Sequence, residues 1–169
     1  RIIFIMVHNT IKPKSLIQIH YHNRISGVSK VIDKYSITFQ RISRPLINNN
    51  FLICNNVQNI NSLNNKEVIS IPDCDYHKFL SKKSVIIKYK KIFQKIDCII
   101  SNNSITRPLC IVGHNLSLGK NIALSIAFSL LSLKYKKVSD MHFFSVIHDL
   151  AEEGRVNILH NLLKMESLG

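Results

Sequence analysis

The chain has no tryptophan, and only ten of its 169 residues are acidic, against 23 lysines and arginines. Its four cysteines, Cys54, Cys74, Cys98 and Cys110, show no CxxC spacing of the kind a zinc ribbon or redox pair uses. Most sit in apolar runs, so they read as buried free thiols, which suits a reducing compartment. No apolar stretch reaches the roughly 18 residues that crossing a bilayer takes. The N-terminal IIFIMV (2–7) is too short for the apolar region of a signal peptide and is followed by no small-residue cleavage site. A cytoplasmic domain is therefore expected. The two glycine-rich phosphate fingerprints, GxxxxGK[ST] and GxGxxG, are missing as well.

What is abundant is positive charge, a formal +13 with a pI near 9.8. Such a balance ordinarily raises nucleic acid or an anionic membrane surface as a partner. Composition bias accounts for part of it. Ile, Asn and Lys, which A/T-rich codons favour, recur in runs such as Asn48-Asn49-Asn50 and Lys134-Tyr135-Lys136-Lys137. The one dense lysine stretch, KKSVIIKYKKIFQK (82–95), reads as the solvated side of an amphipathic helix, with peripheral membrane contact as the alternative. Nucleic acid is set aside: there are no stacking aromatics in a basic frame, and no RRM, KH or helix-turn-helix pattern. The length suits one domain with a sizeable core, spanning 1–169. Arg1 in place of a starting Met, and an end just behind a helical pattern, suggest a piece of a longer protein.

Periodicity predicts alternating strands and helices. SLIQIHYH (15–22) reads as a strand, followed by the polar turn NRISG. From Ser26 or Gly27 the apolar positions Val28, Val31, Ile32, Tyr35 and Phe39 fall at helical spacing. FLIC (51–54) and VISI (68–71) are short strands around an Asn-rich loop. Residues 76–96 read as a basic helix with Phe79, Val85, Ile86, Tyr89, Ile92, Phe93 and Ile96 on one side. LCIV (109–112) is a strand, 122–133 an apolar helix, FFSVI (143–147) a strand and 155–165 a closing helix. Strands without alternation, interleaved with helices, indicate an α/β fold: a Rossmann-like parallel sheet with helices on both faces.

In such a sheet, ligands bind beyond the carboxyl ends of the strands. Three predicted strands run straight into histidine there: His20-Tyr21-His22, His114-Asn115 and His148-Asp149. One strand-end histidine is usually structural; three at one edge point to a shared polar pocket. The turn glycine in NRISGVSKVI exposes backbone N–H groups at a helix start, a natural phosphate site, although an ordinary N-cap has the same pattern. Lys120 in LSLGKN offers the same choice between an anion contact and a helix-start lysine. Asp149, Glu152 and Glu153 precede the last helix, where carboxylates favour its dipole. Arg155 has the donor geometry to clamp a carboxylate or phosphate.

Together IHYHNRISGVSKVI, LCIVGHNLSLGKN and SVIHDLAEEGR resemble the retaining family 4 glycosyltransferases of the GT-B fold, over residues 14–165. The set His-Asn, Leu-Gly-Lys-Asn, then His-Asp-x-Ala-Glu-x-Gly-Arg is similar to mannosylglucosylglycerate synthase-like members. The resemblance implies the N-terminal, acceptor-side half of an enzyme that moves a sugar from a nucleotide-sugar to a hydroxyl with retention. It implies that Gly27, Val28 and Lys120 approach the donor diphosphate and that His114 lies by the reacting sugar. His20, His22, Asn115, His148, Asp149 and Arg155 would face the acceptor. It implies no metal or other cofactor, and a donor-binding C-terminal domain that is not in these 169 residues. Without that domain the fragment is expected to be inactive. Ser26 replaces one glycine of the family's usual pair, a departure at the diphosphate turn. The rival expectation is a metal-dependent hydrolase that uses the strand-end histidines as ligands.

Overall fold

The computed structural model describes residues 12–22, 24, 26–42, 49–55, 66–76, 80–116 and 119–147. Five parallel strands form one sheet: β1 (Ser15–Ile19), β2 (Asn49–Cys54), β3 (Glu67–Ser70), β4 (Leu109–His114) and β5 (Met141–Val146). Their spatial order is β3-β2-β1-β4-β5. Three helices connect them: α1 (Gly27–Ile42) after β1, α2 (Lys82–Ile100) after β3, and α3 (Ile122–Tyr135) after β4. The predicted helix 155–165, and His148, Asp149 and Arg155 with it, lie outside the described residues.

Strand periodicity sorts the core into two layers. Odd-numbered Ile17, Ile19, Ile53, Leu109 and Ile111 pack with Val85, Ile92 and Ile96 of α2 and with Ala123, Leu124, Ala127 and Leu131 of α3. Even-numbered Leu16, Cys110 and Val112 pack with Tyr35, Val31 and Phe39 of α1, and Leu52 and Cys54 with Ile32 and Val28. Helices thus cover both faces, as the unalternating apolar strands imply. The chain moves outward in one direction through β2 and β3, then crosses back over the sheet to β4 and β5 on the other side of β1. The crossover places the switch point of the fold between β1 and β4, paired in register from Ser15↔Leu109 to Ile19↔Gly113.

Element limits differ from the sequence pattern where caps and packing intervene. α1 starts under a reciprocal cap. The Ser29 amide donates to Ser26 Oγ at 3.2 Å and the Ser26 amide donates to Ser29 Oγ at 2.9 Å. α2 begins at Lys82 and not at 76, because Ser81 caps it by accepting from the Ser84 amide. Ile86 points outward, whereas Val85, Ile92, Ile96 and Ile100 are buried; Phe79 is outside the described residues. β1 stops at Ile19, so His20 to His22 are past the strand, not its tip. β4 runs two residues further, through Gly113 and His114. A Cβ on Gly113 would stand 2.6 Å from Leu116 Cδ1 and 3.0 Å from Phe128 Cζ, so glycine lets the strand continue beneath α3. All four cysteines are free; Cys54, Cys74 and Cys110 are buried as expected, but Cys98 on α2 is exposed. Burial pushes the Cys110 thiol up to about 12.

Candidate functional site at the carboxyl edge of the sheet

β1 and β4 are neighbours, so two of the histidine-bearing strand ends meet directly. The His20 Nδ1–H donates to the backbone carbonyl of His114 at 3.2 Å, and the Tyr21 hydroxyl donates to that of Asn115 at 2.7 Å. Asn115 turns the chain out of β4 with a φ of 58°, a left-handed conformation that Asn tolerates better than most residues. Its amide donates to Val146 of β5 at 2.8 Å. The β1, β4 and β5 ends are thereby tied together at the switch point. Tyr21 is fully buried, and burial pushes its phenol well above the ordinary tyrosine range.

His114 is enclosed on the α1 face of the sheet. Its Nε2 is 3.0 Å from Gln18 Oε1, Gln18 Nε2 donates to Ser36 Oγ at 2.8 Å, and Ser36 donates to the Ile32 carbonyl at 3.2 Å. Because the last acceptor is a carbonyl, the chain runs in one sense and His114 Nε2 carries the proton. Tyr35 packs edge-on against the ring, with centroids 5.4 Å apart. His114 is therefore held rigidly, with one nitrogen committed inward.

His22 points a different way. Its ring meets the Tyr76 ring edge-on at 5.0 Å, and its Nε2 is 3.1 Å from the Tyr76 hydroxyl. Lys120 stands over the same tyrosine, its Nζ 5.1 Å from the ring centroid and 3.4 Å from the hydroxyl. Tyr76 is held there by a short 3-10 turn, Pro72–Cys74, after β3. Asn121 locks that turn to the start of α3. Its side chain accepts from the Leu124 amide at 2.9 Å and donates to the carbonyls of Asp73 and Asp75 at 2.8 and 2.7 Å. Burial, first, and then the charges of Arg24 and Lys120 hold the His22 imidazole below the usual histidine range, opposed by Asp75 and a backbone hydrogen bond.

The α1 N-terminus faces the same edge, since it follows β1. Among the described residues the amides of Gly27 and Val28 have no acceptor, whereas those of Ser26 and Ser29 are spent on the cap. A Cβ on Gly27 would meet nothing within 4 Å. Among the described residues the glycine is thus required by no neighbour, and none fills the space above the helix start.

The structure therefore brings together His20, His22, His114, Asn115 and Lys120 from the sequence expectation. It adds Gln18, Arg24, Asp75 and Tyr76, which the sequence reading missed. A glutamine inside the apolar run SLIQI was a visible signal for the buried network. Tyr76 had none, because its place depends on the turn after β3. Among the described residues no group of three or more His, Cys, Asp or Glu side chains is placed to hold a metal ion, and no helix is long and apolar enough to cross a membrane. No protein-family model, curated protein or solved structure matches this chain.

Proposed function

We propose that this chain is the acceptor-side half of a retaining GT-B glycosyltransferase, which transfers a sugar from a nucleotide-sugar to a hydroxyl group. The observation that carries the reading is the pair of open amides, Gly27 and Val28, at a helix start beside the β1–β4 switch point, with free space above the glycine. Such amides and the helix dipole favour a phosphate group. In this reading they receive the donor diphosphate with Lys120 nearby. His114, fully buried and fixed by Gln18 and Tyr35, lies behind the place of the reacting sugar at the end of β4. His20, His22 and Asn115 face the acceptor, and the same role is assigned to His148, Asp149 and Arg155, which lie outside the described residues. The work is positioning and electrostatic stabilisation of the departing diphosphate, which calls for no metal. The donor nucleotide is completed by a second domain of the same chain. The exposed Lys82, Lys83, Lys90, Lys91 and Lys95 around Ile86 and Ile87 on α2 provide a surface for peripheral contact with the cytoplasmic leaflet.

The test is sugar transfer by the full-length protein across a panel of UDP-, GDP- and ADP-hexoses, with the anomeric configuration of the product read by NMR. Transfer with retention is expected. Inversion, or no transfer from any donor, overturns the reading.

A further inference from the structure

α3 is an unusual helix to find on an outer surface. Over Ile122–Tyr135 it carries one charged side chain, Lys134, in its last turn. A helix with one side in water is normally polar on that side, and one that is apolar all round is covered all round. Among the described residues nothing covers the outer side of α3. Leu130 is exposed there, and Leu133 is the most exposed large apolar residue at 59%. α2 lies alongside: Lys134 Nζ donates to Asp97 at 2.7 Å and stands 5.8 Å from the centre of the Phe93 ring. α2 in turn exposes Ile86 and Ile87. Seven large apolar side chains are exposed among the described residues, and these two helices hold four of them. Single exposed ones need no explanation, but four on one side do. α1, on the opposite face of the sheet, exposes none. Composition bias supplies isoleucine and lysine to all three helices, so it does not explain the difference.

Charge indicates what covers this side. Asp97 is the one acidic residue of the two helices, and Lys134 and the Tyr135 hydroxyl already hold it. Five lysines of α2 are exposed, Lys90 and Lys91 among them, and exposed Lys136 and Lys137 follow α3. A protein interface gathers aromatic residues at its centre and is depleted in lysine. These helices expose no aromatic residue and are rich in lysine. Aliphatic side chains ringed by ammonium groups suit an anionic bilayer, which takes the first at its acyl boundary and the second at its headgroups.

We infer that the outer surfaces of α2 and α3 form one docking face for an anionic lipid bilayer, entered by Ile86, Ile87, Leu130 and Leu133. The α2 contact named above is one half of this face. The inference needs no sugar-transfer chemistry. Both helices lie along the strands, so the bilayer runs parallel to the sheet and the carboxyl edge opens along the membrane plane.

The experiment is co-sedimentation of the protein with phosphatidylcholine vesicles, with and without phosphatidylserine. Binding is expected only with phosphatidylserine and is expected to fall as salt rises. Leu130→Ser/Leu133→Ser and Lys90→Gln/Lys91→Gln are each expected to weaken it by roughly tenfold. All four side chains are exposed, so circular dichroism is expected to stay the same. Lys30→Gln/Lys34→Gln makes the same charge change on α1 and is expected to leave binding intact. The 169 residues hold no tryptophan, so Leu133→Trp places a single reporter. Its emission is expected to be quenched by brominated lipid, whereas that of Thr38→Trp on α1 is not. No binding to phosphatidylserine vesicles, full binding by the serine pair, or an equal loss in the α1 pair overturns the inference. So does Leu133→Trp emission that stays unquenched on the vesicles. A dimer that Leu130→Ser/Leu133→Ser dissociates, with no vesicle binding, overturns it too and gives the face to a second copy. Sugar transfer without vesicle binding sinks this inference alone. Vesicle binding without transfer sinks only the function proposed above.

Discussion

The two faces of the sheet are built on different physics. Beneath α2 and α3 the layer is apolar from Ile17 and Ile111 to Ile92, Ile96 and Leu131, with buried polar groups only at the start of α3, at Asn121 and Ser125. Beneath α1, buried Gln18, His114 and Ser36 replace part of that core with a chain of hydrogen bonds that ends on the Ile32 carbonyl. The apolar layer gains stability from area removed from water and is indifferent to direction. The α1 layer is directional, and its benefit is orientation: it fixes the proton on His114 Nε2 and the ring at the end of β4. Stability and positioning are thus assigned to opposite faces of the same strands.

The largest effect is expected in the apolar layer. Ile96→Ala removes a fully buried side chain between α2 and the sheet and is expected to cost about 3–4 kcal/mol in urea unfolding. A loss below about 1 kcal/mol would mean that this face is not the main source of stability. On the α1 face, Gln18→Leu keeps the volume but strands the His114 Nε2–H, at a cost of about 1–3 kcal/mol. The double variant Gln18→Leu/His114→Leu is expected to recover part of that loss, since replacing both partners by apolar groups leaves less unsatisfied. No recovery in the double variant would remove the orientation argument for this layer.

The smallest stability effect, and the one most informative about function, separates two glycines at the same edge. Gly113→Ala drives a Cβ into Leu116 and Phe128 and is expected to cost about 1–3 kcal/mol. Gly27→Ala meets nothing and replaces glycine in a helix, so it is expected to be neutral or stabilising by up to about 1 kcal/mol. In the full-length protein the same Gly27→Ala change is expected to raise the KM for the nucleotide-sugar, because the methyl group enters the space proposed for the diphosphate. An unchanged KM would leave Gly27 a helix-start residue with no part in the site.

Much of the fold was legible from local pattern. Short apolar runs such as FLIC, VISI and LCIV, and the longer SLIQIHYH, marked strands that the structure contains, and the 3.6-residue spacing of Val28, Val31, Ile32, Tyr35 and Phe39 marked α1. The cap at Ser26 was legible too, and the structure shows why serine stands there: it closes a reciprocal pair with Ser29. Limits were less legible. The start of α2 moved because Ser81, six residues in, is the residue that caps it. The end of β4 moved because Gly113, which reads as a turn residue, is a packing residue under α3.

By itself the sequence determined which described segments are strands and helices, and that His20, His22 and His114 lie at or just past strand ends, because both depend on spacing along a few residues. Only the tertiary structure decided what those histidines do. His114 and Gln18 are 96 positions apart, and His22 and Tyr76 are 54 apart. They meet because β4 pairs with β1 across the crossover, and because Asn121 holds the turn after β3 against α3. Strand order is set by the packing of whole helices on two faces, so no local pattern encodes it. That non-local choice turned one strand-end histidine inward to Gln18 and left the other beside Tyr76, Arg24 and Lys120.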